Sequence, residues 1–349
     1  MKKLIAGMLA AIMAFSLAAC GGGTDSNANP GGENPGGGQS AAAEATTLKF
    51  NLVKSNTDPQ YEWYGRFFDD LEAASNGEIV GEIYTTESLG PTADVIEQAA
   101  LGERVVADCD LAWLANYVPD MAAIMSPYLI QKPEEIMAIW NSEVFQDMCT
   151  ELEAQGLHLI ALNYEGTRNL LTKKDITSRA DVNGLKIRCA STTMWNAVAE
   201  MLGGNPTNIA MSETYQALSQ GVADAAEGVY SVMYSNKWNE VLSHVIETEH
   251  LVGYTAIVMS SEVYNSLSDA AKAAMDETAQ KYMQEFLELS GGVQDEYKQK
   301  LIDAGVQVSS IDKTEFIEAA KSIPDKFPDW TPGVYDELTA VLEEARGNK

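Results

Sequence analysis

Strand-like and helix-like segments alternate along this chain from Leu48 onward, and that alternation constrains its fold more than any other feature. Leu48-Lys49-Phe50-Asn51-Leu52-Val53 opens with the period-two pattern of a strand and ends in a buried type. Tyr61 to Ser75 then sets Tyr61, Tyr64, Phe67, Phe68, Leu71 and Ala74 at helical spacing, with Asn76-Gly77 as the stop. Glu78 to Tyr84 is expected as a strand, Asp94 to Leu101 as a helix ended by Gly102, and Cys109 to Trp113 as a third strand. Strand, helix, strand, helix, strand implies parallel pairing with right-handed crossovers. The pattern returns with strands at Leu157 to Leu162, Lys186 to Cys189 and Ala225 to Gly228, and helices at Thr193 to Leu202 and Ser212 to Gln220. A second α/β lobe is therefore expected. Ser268 to Ala304 is almost continuously helix-forming after a Ser268-Asp269 cap, interrupted only by Ser290-Gly291-Gly292. Unbroken, about 35 residues of helix reach about 50 Å, enough to span both lobes.

The start of the chain reads differently. Lys2 and Lys3 precede an uncharged apolar run from Leu4 to Ala19, which ends at Cys20. The run is short for a membrane span of about 20 residues, and its flanks fit a secretion signal over residues 1–19. Leu17-Ala18-Ala19-Cys20 resembles the bacterial lipobox, which implies a diacylated Cys20 as the new N-terminus. The plainer alternative is an ordinary signal peptide with an incidental cysteine. Residues 20–45, rich in Gly with Pro30 and Pro35, read as a flexible tether that holds the globular part within about 25–30 Å of its anchor. Two α/β lobes on a tethered, exported chain suggest a hinged solute trap, on the outer face of the cytoplasmic membrane or in the periplasm.

Composition removes other classes. With 23 Lys+Arg against 51 Asp+Glu the net charge is −28. No basic block exists to displace counterions from a nucleic acid, so nucleic acid is excluded as a partner. Three histidines (His158, His244, His250) and four cysteines show no metal-ligand spacing, and no metal or cofactor is expected. Cys109, Cys149 and Cys189 sit among apolar neighbours and are expected as buried free thiols. An exported hydrolase would need a G-x-S-x-G elbow or a nameable nucleophile–base pair, and neither is present. The chain is not expected to be an enzyme.

The densest segment contains Gly166-Thr167-Arg168, then Gly184-Leu185-Lys186-Ile187-Arg188, Met211-Ser212-Glu213-Thr214-Tyr215-Gln216-Ala217-Leu218, and Gly221-Val222-Ala223-Asp224-Ala225-Ala226-Glu227. This ordered series resembles the solute-binding proteins of tripartite ATP-independent periplasmic (TRAP) transporters, of the DctP type. The resemblance implies an α/β, two-lobed, periplasmic-binding-protein-like fold (type II-like) that closes around a small organic acid. It further implies delivery to TRAP membrane permease subunits driven by an ion gradient, without ATP, catalysis or cofactor, by a monomer. The lobes are expected as 46–165 plus 254–293, and 166–253 plus 294–349. A receptor serving an ATP-driven permease or a sensor kinase would show the same residues.

Arg188 ends the short strand Lys186 to Cys189, where ligands bind outside the carboxyl ends of parallel strands. A guanidinium there can hold a carboxylate through two parallel hydrogen bonds. The resemblance assigns Arg188 as principal carboxylate clamp and Arg168 as its assistant. A structural salt bridge to Glu165 or Asp181 is the alternative for Arg168, and a surface ion pair for Arg188. Trp113, Tyr117, Trp195, Tyr230 and Tyr234 follow strands where ligand-facing loops are expected, although rings serve cores equally. Asn116, Ser191, Met211, Lys54 and Asn56 are further candidates. Many members of the family carry Asn after the glutamate that closes the motif, and Gly228 stands there instead. A roomier pocket or a different hold on the ligand's polar end is implied. Glu227 is expected as an anchor of the hinge-side network. If Cys20 carries the anchor, Cys20→Ala should move the protein from the membrane to the soluble fraction without changing its affinity in solution. Unchanged sedimentation with membranes contradicts the lipid anchor.

Overall fold

The computed structural model describes residues 45–347. The expected signal segment, Cys20 and nearly all of the tether lie outside the described residues. Among those described, nine strands form one sheet in the order β2-β1-β3-β8-β4-β7-β5-β6, with β9 paired to β8.

In the first half, β1 (Thr46–Leu52) pairs in parallel with β2 (Ile79–Thr85) and, on its other edge, with β3 (Val105–Cys109). α1 (Pro59–Ala74) and α2 (Thr92–Ala100) make the crossovers. Asp58 accepts from the Gln60 amide and Pro59 occupies the first turn, which starts α1. Its Tyr64 and Phe68 then pack on Phe50 of the sheet. The third strand lies earlier than Cys109 to Trp113. Asp110 accepts from the Ala112 amide at 2.9 Å and so caps a short helix, α3 (Leu111–Leu114), which ends the strand at Cys109. α4 (Glu135–Trp140) and α5 (Glu143–Ala154) complete this half.

Two long strands hold the halves together. β4 (Leu157–Thr172) continues far beyond the expected Leu157 to Leu162, and β8 (His244–Ser260) is a strand that the sequence pattern did not indicate. They run antiparallel over most of their lengths, with register shifts between Tyr164 and Gly166 and between Arg168 and Leu170. The sheet is therefore mixed rather than wholly parallel. In the second half β5 (Lys186–Cys189), between β6 (Asn205–Asn208) and β7 (Ala225–Gly228), pairs with both in parallel. α6 (Thr193–Leu202), α7 (Thr214–Gln220) and α8 (Tyr230–Ser235) connect and cover these strands, and α9 (Ser261–Ser266) follows β8.

α10 (Asp269–Asp303) runs unbroken through Ser290-Gly291-Gly292. The Ser290 hydroxyl donates to the Tyr164 carbonyl at 2.8 Å. The Gln294 amide donates to the Glu165 carbonyl and accepts from the Tyr230 amide, at 2.9 and 3.0 Å. These bonds seat the helix on both halves and offset the weak helix propensity of two glycines. Upstream, Phe286 lies edge-on to Trp63 of α1. β9 (Gln307–Ser310), α11 (Thr314–Ala320) and α12 (Val334–Ala345) end the chain. α11 lies against α6, but α12 packs on α4 and α5 of the first half. Arg346 grips Glu135 through two hydrogen bonds of 2.9 and 2.7 Å. α12 thus packs against the first half, while α11 lies against the second. Cys109 and Cys189 are buried free thiols, whereas Cys149 is only half-buried, on the rim of α5. No helix among the described residues is long and apolar enough to cross a membrane.

Gly156 joins α5 to β4 at φ +88°, and a Cβ there would sit 2.5 Å from the Ala100 carbonyl oxygen. Backbone cannot swing aside as a side chain can. Gly156→Ala is expected to cost about 2–3 kcal/mol of unfolding free energy, read as a lowered urea midpoint. An unchanged midpoint would show that this approach is not tight.

Candidate functional site

A cavity of about 500 Å³ opens where strands of both halves end. β1 leads into Val53 and Lys54, β3 into Asp110, β5 into Ala190 and Ser191, and β6 into Ile209 to Met211, so strand carboxyl ends line the space. Eight sequence candidates line it: Lys54, Trp113, Asn116, Arg168, Arg188, Ser191, Trp195 and Met211. Four do not. Asn56 is exposed to solvent, one turn past Lys54. Tyr117 packs against the main core. Tyr230 is buried in the smaller core of the second half and its hydroxyl donates to Glu247 at 2.8 Å. Gly228 faces away from the cavity, because alternation along β7 gives the cavity face to Glu227, and a Cβ on Gly228 would meet Trp238 at 3.4 Å. The absent Asn contact thus gives no extra room in the pocket.

The wall is densely charged. Arg168 on β4 is fully engaged: Nε and Nη2 donate to the two carboxylate oxygens of Glu227 at 2.6 and 2.8 Å, and Nη1 donates to Glu165 at 2.7 Å. Its guanidinium carbon stands 4.6 Å from the centre of the Trp195 ring. These partners outweigh the burial and raise the Arg168 pKa further, while holding the Glu227 carboxyl down at about 2. Buried His250 backs this pair, its Nε2 3.4 Å from Glu227, and burial lowers its pKa. Lys54 is 3.3 Å from Asp108 and 3.4 Å from Glu165, and donates to Thr255 at 3.1 Å. The arginine expected to assist at the ligand is thus committed to acids, the salt-bridge alternative with Glu227 added to Glu165.

Arg188 differs from both. It is only 4% exposed, and among the described residues its one hydrogen bond runs from Nε to the Ile209 carbonyl at 3.0 Å. Among the described residues it forms no ion pair, and desolvation lowers its pKa. A buried guanidinium whose terminal nitrogens lack a carboxylate is costly, and an anion meeting them through two parallel hydrogen bonds would offset that cost.

Sequence reasoning missed several wall residues. Thr255 and Tyr254 come from β8, whose first half carries Glu247, Thr248, Glu249 and His250 and whose second half is nearly all apolar, so no period-two alternation marks it. Asp110 was readable as a helix cap. Its Oδ2 accepts from Trp195 Nε1 at 2.7 Å, bridging the first half to α6 of the second. Burial pushes its carboxyl up to about 6, against the opposing pull of the indole hydrogen bond.

The sequence profile of bacterial extracellular solute-binding protein family 7 (DctP) matches residues 50–329. A solute-binding protein of Chromohalobacter salexigens is 27% identical over 307 residues, covering 87% of this chain and 91% of its own. The sialic acid-binding periplasmic protein SiaP of Vibrio cholerae is 28% identical, covering 69% and 75%. A TRAP periplasmic solute-binding protein from Ochrobacterium anthropi, solved with bound L-fuconate, superposes with a TM-score of 0.83 at 31% identity, covering 86% of this chain and 100% of its own. One from Fusobacterium nucleatum, with bound sn-glycerol-3-phosphate, gives 0.84 at 30%, covering 87% and 99%.

Between pH 3.8 and about 6 the unfolded chain ionises Asp110 while the folded protein keeps its proton. Stability from this group therefore falls as pH rises through that window, by about 3 kcal/mol, and is level above it. Asp110→Asn retains the acceptor for Trp195 and should remove this component. Urea unfolding of both proteins at pH 4, 5, 6 and 7 tests it, and parallel profiles contradict the assignment.

Proposed function

The chain belongs to bacterial extracellular solute-binding protein family 7, that of the TRAP-type solute-binding proteins, and from that premise we propose that it captures a small organic acid between its two lobes, gripping the carboxylate with Arg188. The observation that carries this is the buried, unpaired guanidinium of Arg188 at the strand ends, in a wall where Arg168 and Lys54 already face acids. Solved relatives with bound L-fuconate and sn-glycerol-3-phosphate hold small anions bearing hydroxyls, which supports an acid ligand here.

Binding proceeds by desolvation. The ligand exchanges water for two parallel charge-assisted hydrogen bonds at low local dielectric, where each is stronger than at a surface. Trp113 and Trp195 supply flat apolar walls for the ligand's carbon body. A net charge of −28 repels an anion at long range, so capture depends on this local cation, screened beyond about 8 Å at physiological salt. We assign the lobes as residues 46–165 with 254–293, and 166–253 with 294 onward, except that α12 docks on the first. The loaded protein delivers its ligand to a TRAP permease, tethered to the membrane through a lipid on Cys20.

Arg188→Ala and Arg188→Lys should both fold and both lose thermal stabilisation by a co-purified or screened carboxylate, since lysine cannot make the two-pronged contact. Affinity should fall on the order of a hundredfold or more. Unchanged binding in either variant refutes the assignment.

A further inference from the structure

The charges that line the cavity do not balance, and the imbalance specifies the ligand. Lys54 is matched by Asp108 and Glu165, and Arg168 by Glu165 and Glu227. Three charged groups of the wall form no ion pair among the described residues: one cation, Arg188, and two acids, Asp110 and Glu87. A ligand that satisfies this remainder carries one negative charge for Arg188 and neutral hydrogen-bond donors for the two acids.

Glu87 is built into place at a cost. Thr86 and Glu87 both adopt positive φ, +58° and +55°, a conformation unfavourable for side chains of this kind and concentrated at functional sites. The turn carries the carboxylate from the end of β2 into the cavity wall. There Oε1 accepts from the Thr92 hydroxyl at 2.8 Å and Oε2 from the Ser212 amide of the second half at 3.4 Å. The fields of Glu227 and, more weakly, Glu87 reach Arg188. Asp110 makes the corresponding reach from β3 to Trp195. Both acids therefore span the two halves that the ligand must join.

We infer that the site selects a hydroxylated monocarboxylate and rejects dicarboxylates of the same length, with Glu87 and Asp110 reading the hydroxyls and excluding a second anionic group. This deepens the carboxylate reading above and rests on it. A second carboxylate has no cation left to meet and faces two acids, and like-charge contacts of this kind are strongly unfavourable in a buried site. Hydroxyls suit the acids better than an ammonium does. Asp110 already accepts two hydrogen bonds and Glu87 three, which leaves few acceptor positions rather than the cage a charged amine requires.

The test uses the full chain and calorimetric titration with sugar acids of three to eight carbons. Each aldonate is paired with the aldarate of equal length, alongside succinate, glycerol 3-phosphate and the matching α-amino acids. The expected result is that the tightest probe is an aldonate, bound on the order of tenfold or more better than its aldarate. The double substitution Glu87→Gln with Asp110→Asn, with folding checked by melting, should narrow that ratio. An aldarate, succinate, glycerol 3-phosphate or amino acid that binds as tightly as the best aldonate overturns the inference, as does an unaltered ratio in the folded double variant. If a dicarboxylate binds and Arg188→Ala abolishes it, only this inference fails. If no acid binds at all, the carboxylate reading fails with it.

Discussion

The two-pronged contact between Arg168 and Glu227 is the interaction on which the site depends. It ties β4 to β7 in the interior, and Glu165 and Lys54 extend it into the first half through Asp108 and Thr255. Charges so deep are tolerated only when matched, since an isolated one costs several kcal/mol of desolvation. The matching is nearly complete, and what escapes it is informative. Arg188 stands one strand over, buried more deeply than Arg168, and among the described residues its only hydrogen bond goes to a carbonyl.

The sheet explains how charges separated by over a hundred residues meet. β4 and β8 traverse both halves, so Glu165 and Arg168 on one and Thr255 on the other lie at the middle of the molecule, beside the ends of the shorter parallel strands. Gly166 and Gly253 face each other across this pair. A Cβ at Gly166 would meet the Gln294 side chain at 2.5 Å, and one at Gly253 the Glu165 carboxylate at 2.8 Å. Glycine there lets α10 and the charged network approach the strands closely.

Much of this was legible from local pattern. The strands at Thr46–Leu52, Ile79–Thr85, Lys186–Cys189 and Ala225–Gly228, the Ser268 cap and the helices with an apolar stripe sit close to where the pattern puts them. Failures have identifiable causes. The shift from Cys109 to Trp113 back to Val105–Cys109 arose because Asp110, read as part of a strand, is a helix cap. β8 escaped notice because a strand buried on both faces loses its alternation. Tyr230 resembled a ligand-facing ring, yet α8 turns it into the second core. Gly228 was credited with a cavity-facing role that strand alternation assigns to Glu227.

From the sequence alone came the acidic character of the chain, the alternating α/β order, the long helix from Ser268 onward and the arginines that an acid-binding site would need. Those follow from composition and near-neighbour periodicity, which act within a few residues. Tertiary structure decided which arginine is free. Whether a guanidinium is satisfied depends on carboxylates brought to it from other strands, 59 residues away for the partner that claims Arg168, and no local pattern encodes that distance in space.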